Sequence, residues 1–184
     1  MIFQFFKPKW QHANPKIRRQ AYEQLDPANR DDRAILLERL RADTDPVLRQ
    51  WLLRHVTDPD LLRDIAKNDV DAMVRDAAQQ RCRRLLAGVE AGLDREQRLL
   101  LVEKCDDDAT LLHVARHGVD AALRQRAMLR LGRESVYADV AVDDDDAELR
   151  LTAAQLLQTP AVMERVVKAA KNKDKRVRGV LQQR

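Results

Sequence analysis

His113 and His117 stand four residues apart, and on a helix that spacing can turn two imidazoles toward one metal ion. Asp106, Asp107 and Asp108 are near enough in the chain to offer a third ligand. A metal-dependent hydrolase also needs a base beside its ion, and no Glu follows His113, so the pair reads as incidental. Asp143, Asp144, Asp145 and Asp146 form an acidic run without the spaced ligands, central Gly and distal Glu of a calcium loop. Asp146 reads better as a helix cap, and the other three as a solvated turn. Cys82 and Cys105 belong to no Cys-x-x-Cys pair and sit in apolar stretches with helical spacing, which predicts buried, reduced thiols and a reducing cytoplasm. No Ser-His-Asp set, Gly-rich phosphate loop or Cys-His pair can be assembled. The sequence therefore assigns no catalytic, cofactor-binding or metal-binding residue and implies no small-molecule substrate; a non-enzymatic chain is expected.

Charge leaves one candidate site. The formal net charge of +4 is unevenly spread: Lys7, Lys9, Lys16, Arg18 and Arg19 make the first twenty residues basic, and the last twenty-one carry eight basic against two acidic residues. Lys168, Lys171, Lys173, Lys175, Arg176 and Arg178 are the candidates for contacts with nucleic-acid phosphates, a mode whose affinity falls steeply with salt. A solvated helix face would give the same residue count, and an aromatic content of 4% leaves few rings for stacking on single strands.

These residues need elements to hold them, and composition says of what kind. Charged residues reach 35% and apolar ones 45%, with five Gly in 184 residues, the Ala-, Leu-, Arg- and Asp-rich profile of packed helices. No stretch alternates apolar and polar residues long enough for a sheet. The apolar start, Met1 to Phe6, stops at Lys7-Pro8-Lys9, far short of the ~20 residues of a membrane span. It also lacks the features of a secretory signal. One domain of this length buries roughly 70% of its unfolded surface.

A repeated unit organises the chain. Asn14-Pro15-Lys16-Ile17-Arg18 recurs as Asp45-Pro46-Val47-Leu48-Arg49, Asp71-Ala72-Met73-Val74-Arg75, Asp120-Ala121-Ala122-Leu123-Arg124, Asp146-Ala147-Glu148-Leu149-Arg150 and Asp174-Lys175-Arg176-Val177-Arg178. Three residues past each Arg comes Ala21, Leu52, Ala78, Ala127, Ala153 or Leu181. A weaker copy, Asp94-Arg95-Glu96-Gln97-Arg98, makes the spacings 31, 26, 23, 26, 26 and 28 residues. That length accommodates two short helices and their turns, and is shorter than the ~40–47 residues of common HEAT units.

The unit has a physical reading. Its Asp or Asn caps a helix, Pro15 and Pro46 fill first helical positions, and the two apolar residues share one packed face. Partner helices are predicted over Arg30 to Ala42, Asp58 to Lys67, Asp107 to His117, Glu134 to Val142 and Pro160 to Lys171, with an irregularity near residues 88–106, as a kink or an inserted helix. The recurrent Arg is expected to reach an Asp of its own or the adjacent unit, as a ladder of charge-assisted hydrogen bonds. Phe3, Phe5, Phe6 and Trp10 are expected to cover the first repeat.

The repeats resemble HEAT-like arrays, which implies an all-α, right-handed α-solenoid of short helical hairpins. The stretch Phe5-Phe6-Lys7-Pro8-Lys9-Trp10-Gln11-His12 running into Asn14-Pro15-Lys16-Ile17-Arg18 is similar to the amino-terminal opening of large bacterial proteins that carry domain of unknown function 349. The closing Lys173-Asp174-Lys175-Arg176-Val177 is similar to the point where their helical repeats give way to long charged helices. That resemblance implies a bacterial chain belonging to a longer protein and carries no site residues. Iron enzymes of HEAT-repeat architecture use His-Glu pairs, which this sequence lacks. HEAT-like DNA glycosylases place Trp and Asp near a lesion; Trp10, Trp51 and Asp45 supply the types, but Trp51 is read as core.

The expectation is thus a single HEAT-like domain over residues 1–184, with an amino-terminal cap at 1–13 and six to seven repeats. It would serve as a cytoplasmic scaffold binding a protein partner or another segment of its own longer chain, with nucleic acid as the alternative partner and no membrane contact.

Overall fold

The structure, a computed structural model, describes residues 7–183. Among them are twelve α-helices and no strand. In chain order these are α1 (Pro15–Glu23), α2 (Arg30–Ala42), α3 (Pro46–Leu52), α4 (Pro59–Asn68), α5 (Ala72–Ala87), α6 (Arg95–Glu103), α7 (Asp108–His117), α8 (Ala121–Leu131), α9 (Glu134–Asp143), α10 (Ala147–Gln155), α11 (Pro160–Ala169) and α12 (Lys175–Gln182). Short 3-10 turns stand at Lys9–Gln11, Leu53–His55 and Ala170–Asn172. None of these helices is long and apolar enough to cross a membrane.

Every copy of the repeated unit starts a helix, and for the expected reason. Asn14, Asp45 and Asp71 accept hydrogen bonds from the N–H groups of Lys16, Val47 and Met73, each at 2.9 Å. Asp94, Asp120, Asp146 and Asp174 do the same for Gln97, Leu123, Leu149 and Arg176. Each cap satisfies an otherwise unpaired donor and contributes about 1 kcal/mol. The paired apolar positions are the core: Leu48, Val74, Leu123, Leu149 and Val177 are buried, as are Ala21, Leu52, Ala78, Ala127, Ala153 and Leu181. Each large aliphatic among them contributes about 1.5–3 kcal/mol on burial. The small residue at the second position lets neighbouring helices approach. Gln97, which breaks the apolar rule, instead completes a capping box, its side chain accepting from the Asp94 N–H at 3.0 Å.

Chain packing divides the molecule into two compact units, residues 1–82 and 83–184, and the division falls within α5. In the first unit the 3-10 turn at Lys9–Gln11 packs on α1 and α2 packs on α3. In the second, α7 lies against α8 and α9 against α10; α6 packs on α8, α10 on α12 and α9 on α11. The partner helices α2, α4, α7, α9 and α11 begin and end within two residues of the segments read from the sequence. The irregular stretch resolves into two signature helices in succession, α5 and α6, with no partner helix between them. The connection turns through Gly88 at φ +80° and Gly92 at φ +132°, a region closed to most side chains. Trp10 is half-buried, its carbonyl accepting from the Tyr22 hydroxyl at 3.3 Å; Phe3, Phe5 and Phe6, expected to cover the same end, lie outside the described residues.

Candidate functional site

The signature arginines decide how much of the polar inventory remains for function. Each lies on the first turns of its helix, and Arg18, Arg49, Arg124 and Arg150 use both edges of the guanidinium. Toward the preceding element, the NH1 groups of Arg18, Arg49, Arg75, Arg124 and Arg150 donate to the carbonyls of His12, Asp43, Asp69, Gly118 and Asp144, six residues earlier in every case, at 2.7–2.9 Å. Four of these carbonyls belong to residues that end partner helices, where the last C=O groups lack intrahelical donors. Toward the following element, Arg18 grips Asp43 through Nε and NH2 at 2.8 and 2.7 Å, and Arg49 grips Asp69 at 3.0 and 2.8 Å. In the second unit Arg124 holds Asp144 in the same forked manner, whereas Arg150 brings both Nε and NH2 to the single oxygen Oδ2 of Asp174. The forked pairs are the strong kind of charge-assisted bond.

Three of the four acids that serve this ladder differ from the expected ones. Asp45, Asp71 and Asp146 serve as caps, and the arginines take Asp43, Asp69 and Asp144, two residues before each cap. Only Arg150 takes the capping Asp of the next unit, Asp174, whose Oδ2 faces the arginine while Oδ1 caps α12. Asp43, Asp69 and Asp144 also accept from the backbone N–H of the capping Asp at 2.8–2.9 Å. The sequence contained the signal as an Asp-x-Asp pattern. Asp144, expected in a solvated turn, has a side chain only 4% exposed. Asp143 pairs with Lys173 at 2.7 Å.

Asp43 is the most enclosed of the four acids, its side chain 0% exposed against 9% for Arg18. Burial alone would raise its carboxyl, but bonds from Arg18, Tyr22 and the Asp45 N–H outweigh that and hold it below its ordinary value. Burial and the 2.5 Å bond to Asp43 push the Tyr22 hydroxyl well up, keeping it a donor. Asp69 and Asp174 are lowered in the same way against the raising effect of burial.

Among the described residues the forward grip is absent at Arg75, which donates only to the carbonyls of Asp69 and Val70, and at Arg98. Arg49 and Arg124 each reach an acid twenty residues ahead, and the residue at that step from Arg98 is Gly118. The buried Nε of Arg98 has no hydrogen-bond partner among the described residues.

The nucleic-acid candidates are only partly available. Lys168, Lys171 and Lys175 are exposed, whereas Lys173 is paired with Asp143, Arg176 with Glu148 at 2.6 Å, and Arg178 donates to Gln182 at 3.2 Å. His113 and His117 do share a face, their ring centres 4.8 Å apart. Burial first, then His117, Arg83 and Arg84, lower the His113 imidazole. Among the described residues no group of three His, Cys, Asp or Glu is placed to hold a metal ion. Cys82 is buried in α5, but Cys105 is half-buried in the turn after α6, outside any helix.

Trp51, read as core, is half-buried on the surface of the first unit. Arg54 lies 4.5 Å and Arg19 5.6 Å from its ring centre, His55 meets its edge, and Tyr22 stacks at 6.5 Å. The position facing the core is Leu52. Sequence reasoning also missed three exposed apolar residues of that unit. Val47 is 53% and Met73 54% exposed, both two residues past a capping Asp, and Val70, 90% exposed, directly precedes one. Compared with protein-family models, with curated proteins and with solved structures, the chain matches none.

Proposed function

We propose that the chain is a right-handed solenoid of short HEAT-like hairpins that acts as a non-enzymatic scaffold in the bacterial cytoplasm. In this reading it forms the helical-repeat region of a longer protein of the kind carrying domain of unknown function 349. It binds a protein partner or another segment of that longer chain. The observation that carries the reading is the trio Val47, Val70 and Met73, apolar side chains left exposed at corresponding turns of successive units. Exposed apolar surface of this kind marks contact with another macromolecule. The ladder residues supply no chemistry, because their charges are matched to each other within the fold.

The test is recovery of partners from a nuclease-treated bacterial lysate by the wild-type chain and by a Val70→Asp, Met73→Asp variant of unchanged melting temperature. The reading expects a defined set of proteins recovered by the first and lost with the second. An identical set from both, or turnover of a substrate that requires residues of this region, overturns it.

Binding of nucleic acid is the second reading, favoured by the exposed Lys168, Lys171 and Lys175. It expects anisotropy of a labelled RNA or DNA oligonucleotide to report binding whose logarithmic salt slope flattens by about 0.7–0.9 per contact removed. Absence of binding at low salt, or no effect of Lys→Glu changes at these three positions, removes it.

A further inference from the structure

A cleft of about 440 Å³ in the first unit is lined by Lys7, Gln11, His12, Arg18, Arg39 and Thr44 together with Asp43. It lies where the lead-in to α1 meets the carboxy-terminal turn of α2. Asp43 is the one carboxylate of the lining, and its charge is already matched. Its two oxygens accept from Arg18 Nε and NH2, from the Tyr22 hydroxyl and from the Asp45 N–H. Arg18 is likewise committed, its NH1 donating to the carbonyls of His12 and Ala13. The cleft thus keeps two cations, Lys7 and Arg39, that no carboxylate of the lining neutralises.

Arg39 is the telling residue. Its NH2 contacts Glu38, whose side chain is 64% exposed, while the arginine's own side chain is only 16% exposed. Its buried Nε has no hydrogen-bond partner among the described residues. A buried guanidinium donor left unmatched is costly, and because Arg39 also lines the cleft, an anion there would meet its guanidinium charge. The neutral lining residues add donors: the Gln11 amide, the Thr44 hydroxyl and one nitrogen of His12. Nδ1 of His12 accepts from the Asn14 N–H at 3.0 Å, which places the proton of the neutral ring on Nε2. A guanidinium, an ammonium and several neutral donors around one cleft suit an anion with many acceptor oxygens.

We propose that this cleft is a binding site for a small phosphate-bearing anion, with Arg39 and Lys7 as its charged contacts. None of the exposed apolar residues or carboxy-terminal lysines lines this cleft, so it can stand or fall independently of either reading above. The carbonyl end of α2 opposes an anion here, which predicts weak binding, while the attraction of Lys7 and Arg39 grows with ligand charge and favours the more highly charged ligand.

The experiment is isothermal titration calorimetry of the full chain with inorganic phosphate and with pyrophosphate, at ionic strength held constant with sodium chloride. The proposal expects saturable one-to-one binding, tighter for pyrophosphate. Arg39→Gln and Lys7→Gln should each weaken it about tenfold, the loss of one charge-assisted contact. Lys7 is exposed, so Lys7→Gln leaves the fold intact, and circular dichroism melting establishes folding of Arg39→Gln. No saturable heat with either anion, or binding unchanged in both folded variants, overturns the proposal. If both anions saturate the site, the free ion is a sufficient ligand; if only pyrophosphate does, the ligand is a phosphorylated molecule with more than one phosphoryl group. Saturation by inorganic phosphate alone reverses the expected order and overturns the proposal.

Discussion

Replacing Asp43 by Asn changes one atom in a side chain that is wholly enclosed, and the ladder predicts that this is among the most damaging polar substitutions available. The amide keeps one acceptor oxygen, which serves the Asp45 N–H and Arg18 NH2 as Oδ1 did, but presents an NH2 group where Oδ2 had accepted from Arg18 Nε and the Tyr22 hydroxyl. Breaking a buried ion pair by removing one partner costs about 3–5 kcal/mol, because the other charge stays behind. Arg18 retains its NH1 bonds to the carbonyls of His12 and Ala13, which places the expected loss near the lower bound, about 3 kcal/mol. In urea, with a slope of about 2 kcal/mol per molar, that is a fall of about 1.5 M in midpoint. The control is Asp45→Asn two residues away. Asn caps a helix about as well as Asp, so that change should cost under about 0.5 kcal/mol. The assay is urea unfolding followed by helical circular dichroism at neutral pH. Equal costs for the two substitutions, or a cost below about 1 kcal/mol for Asp43→Asn, would refute the assignment of Asp43 as the ladder acid.

Acid should act through the same residues. The Asp43, Asp69 and Asp174 carboxyls are held below their ordinary values in the folded chain. Their contribution is therefore complete above about pH 4 and is lost as the pH falls through the folded-state values; Asp43→Asn should flatten this fall in a pH series of melts. Gly88→Ala should destabilise by about 1–3 kcal/mol, since its φ is +80° and the new carbon would stand 2.6 Å from Val119 Cγ2. Gly132→Ala, at φ +63° with nothing nearer than 4.0 Å, carries the backbone strain alone and should cost about 1–2 kcal/mol by the same melting assay. Asp94→Ala removes the side-chain half of the capping box that starts α6 and should lower stability by about 1 kcal/mol. A loss within error there would mean that α6 is held by packing and not by its cap.

Local chemistry made the helices legible from the chain alone. A capping Asp or Asn, a Pro that needs no donor, and apolar residues four apart each act within one turn of helix, so their consequences are fixed by near neighbours in sequence. Those rules placed all seven signature helices and all five partner helices. They also explain why the seventh copy survives with Gln97: its work is capping, which needs no packed face. The same rules could not say which acid each arginine takes. Asp43 and Asp45 stand two residues apart at the start of the next signature, and only the closing of one element on the next brings Asp43 against the Arg18 guanidinium while Asp45 caps α3, and brings the cap itself, Asp174, against Arg150. Exposure was likewise decided at long range. Trp51 and Leu52 are adjacent and apolar, yet the rotation of α3 against its neighbours sends Leu52 to the core and leaves Trp51 under two arginines at the surface. Arg39 carried no signal at all, because the cleft that gives it meaning is assembled from residues some thirty positions apart in the chain.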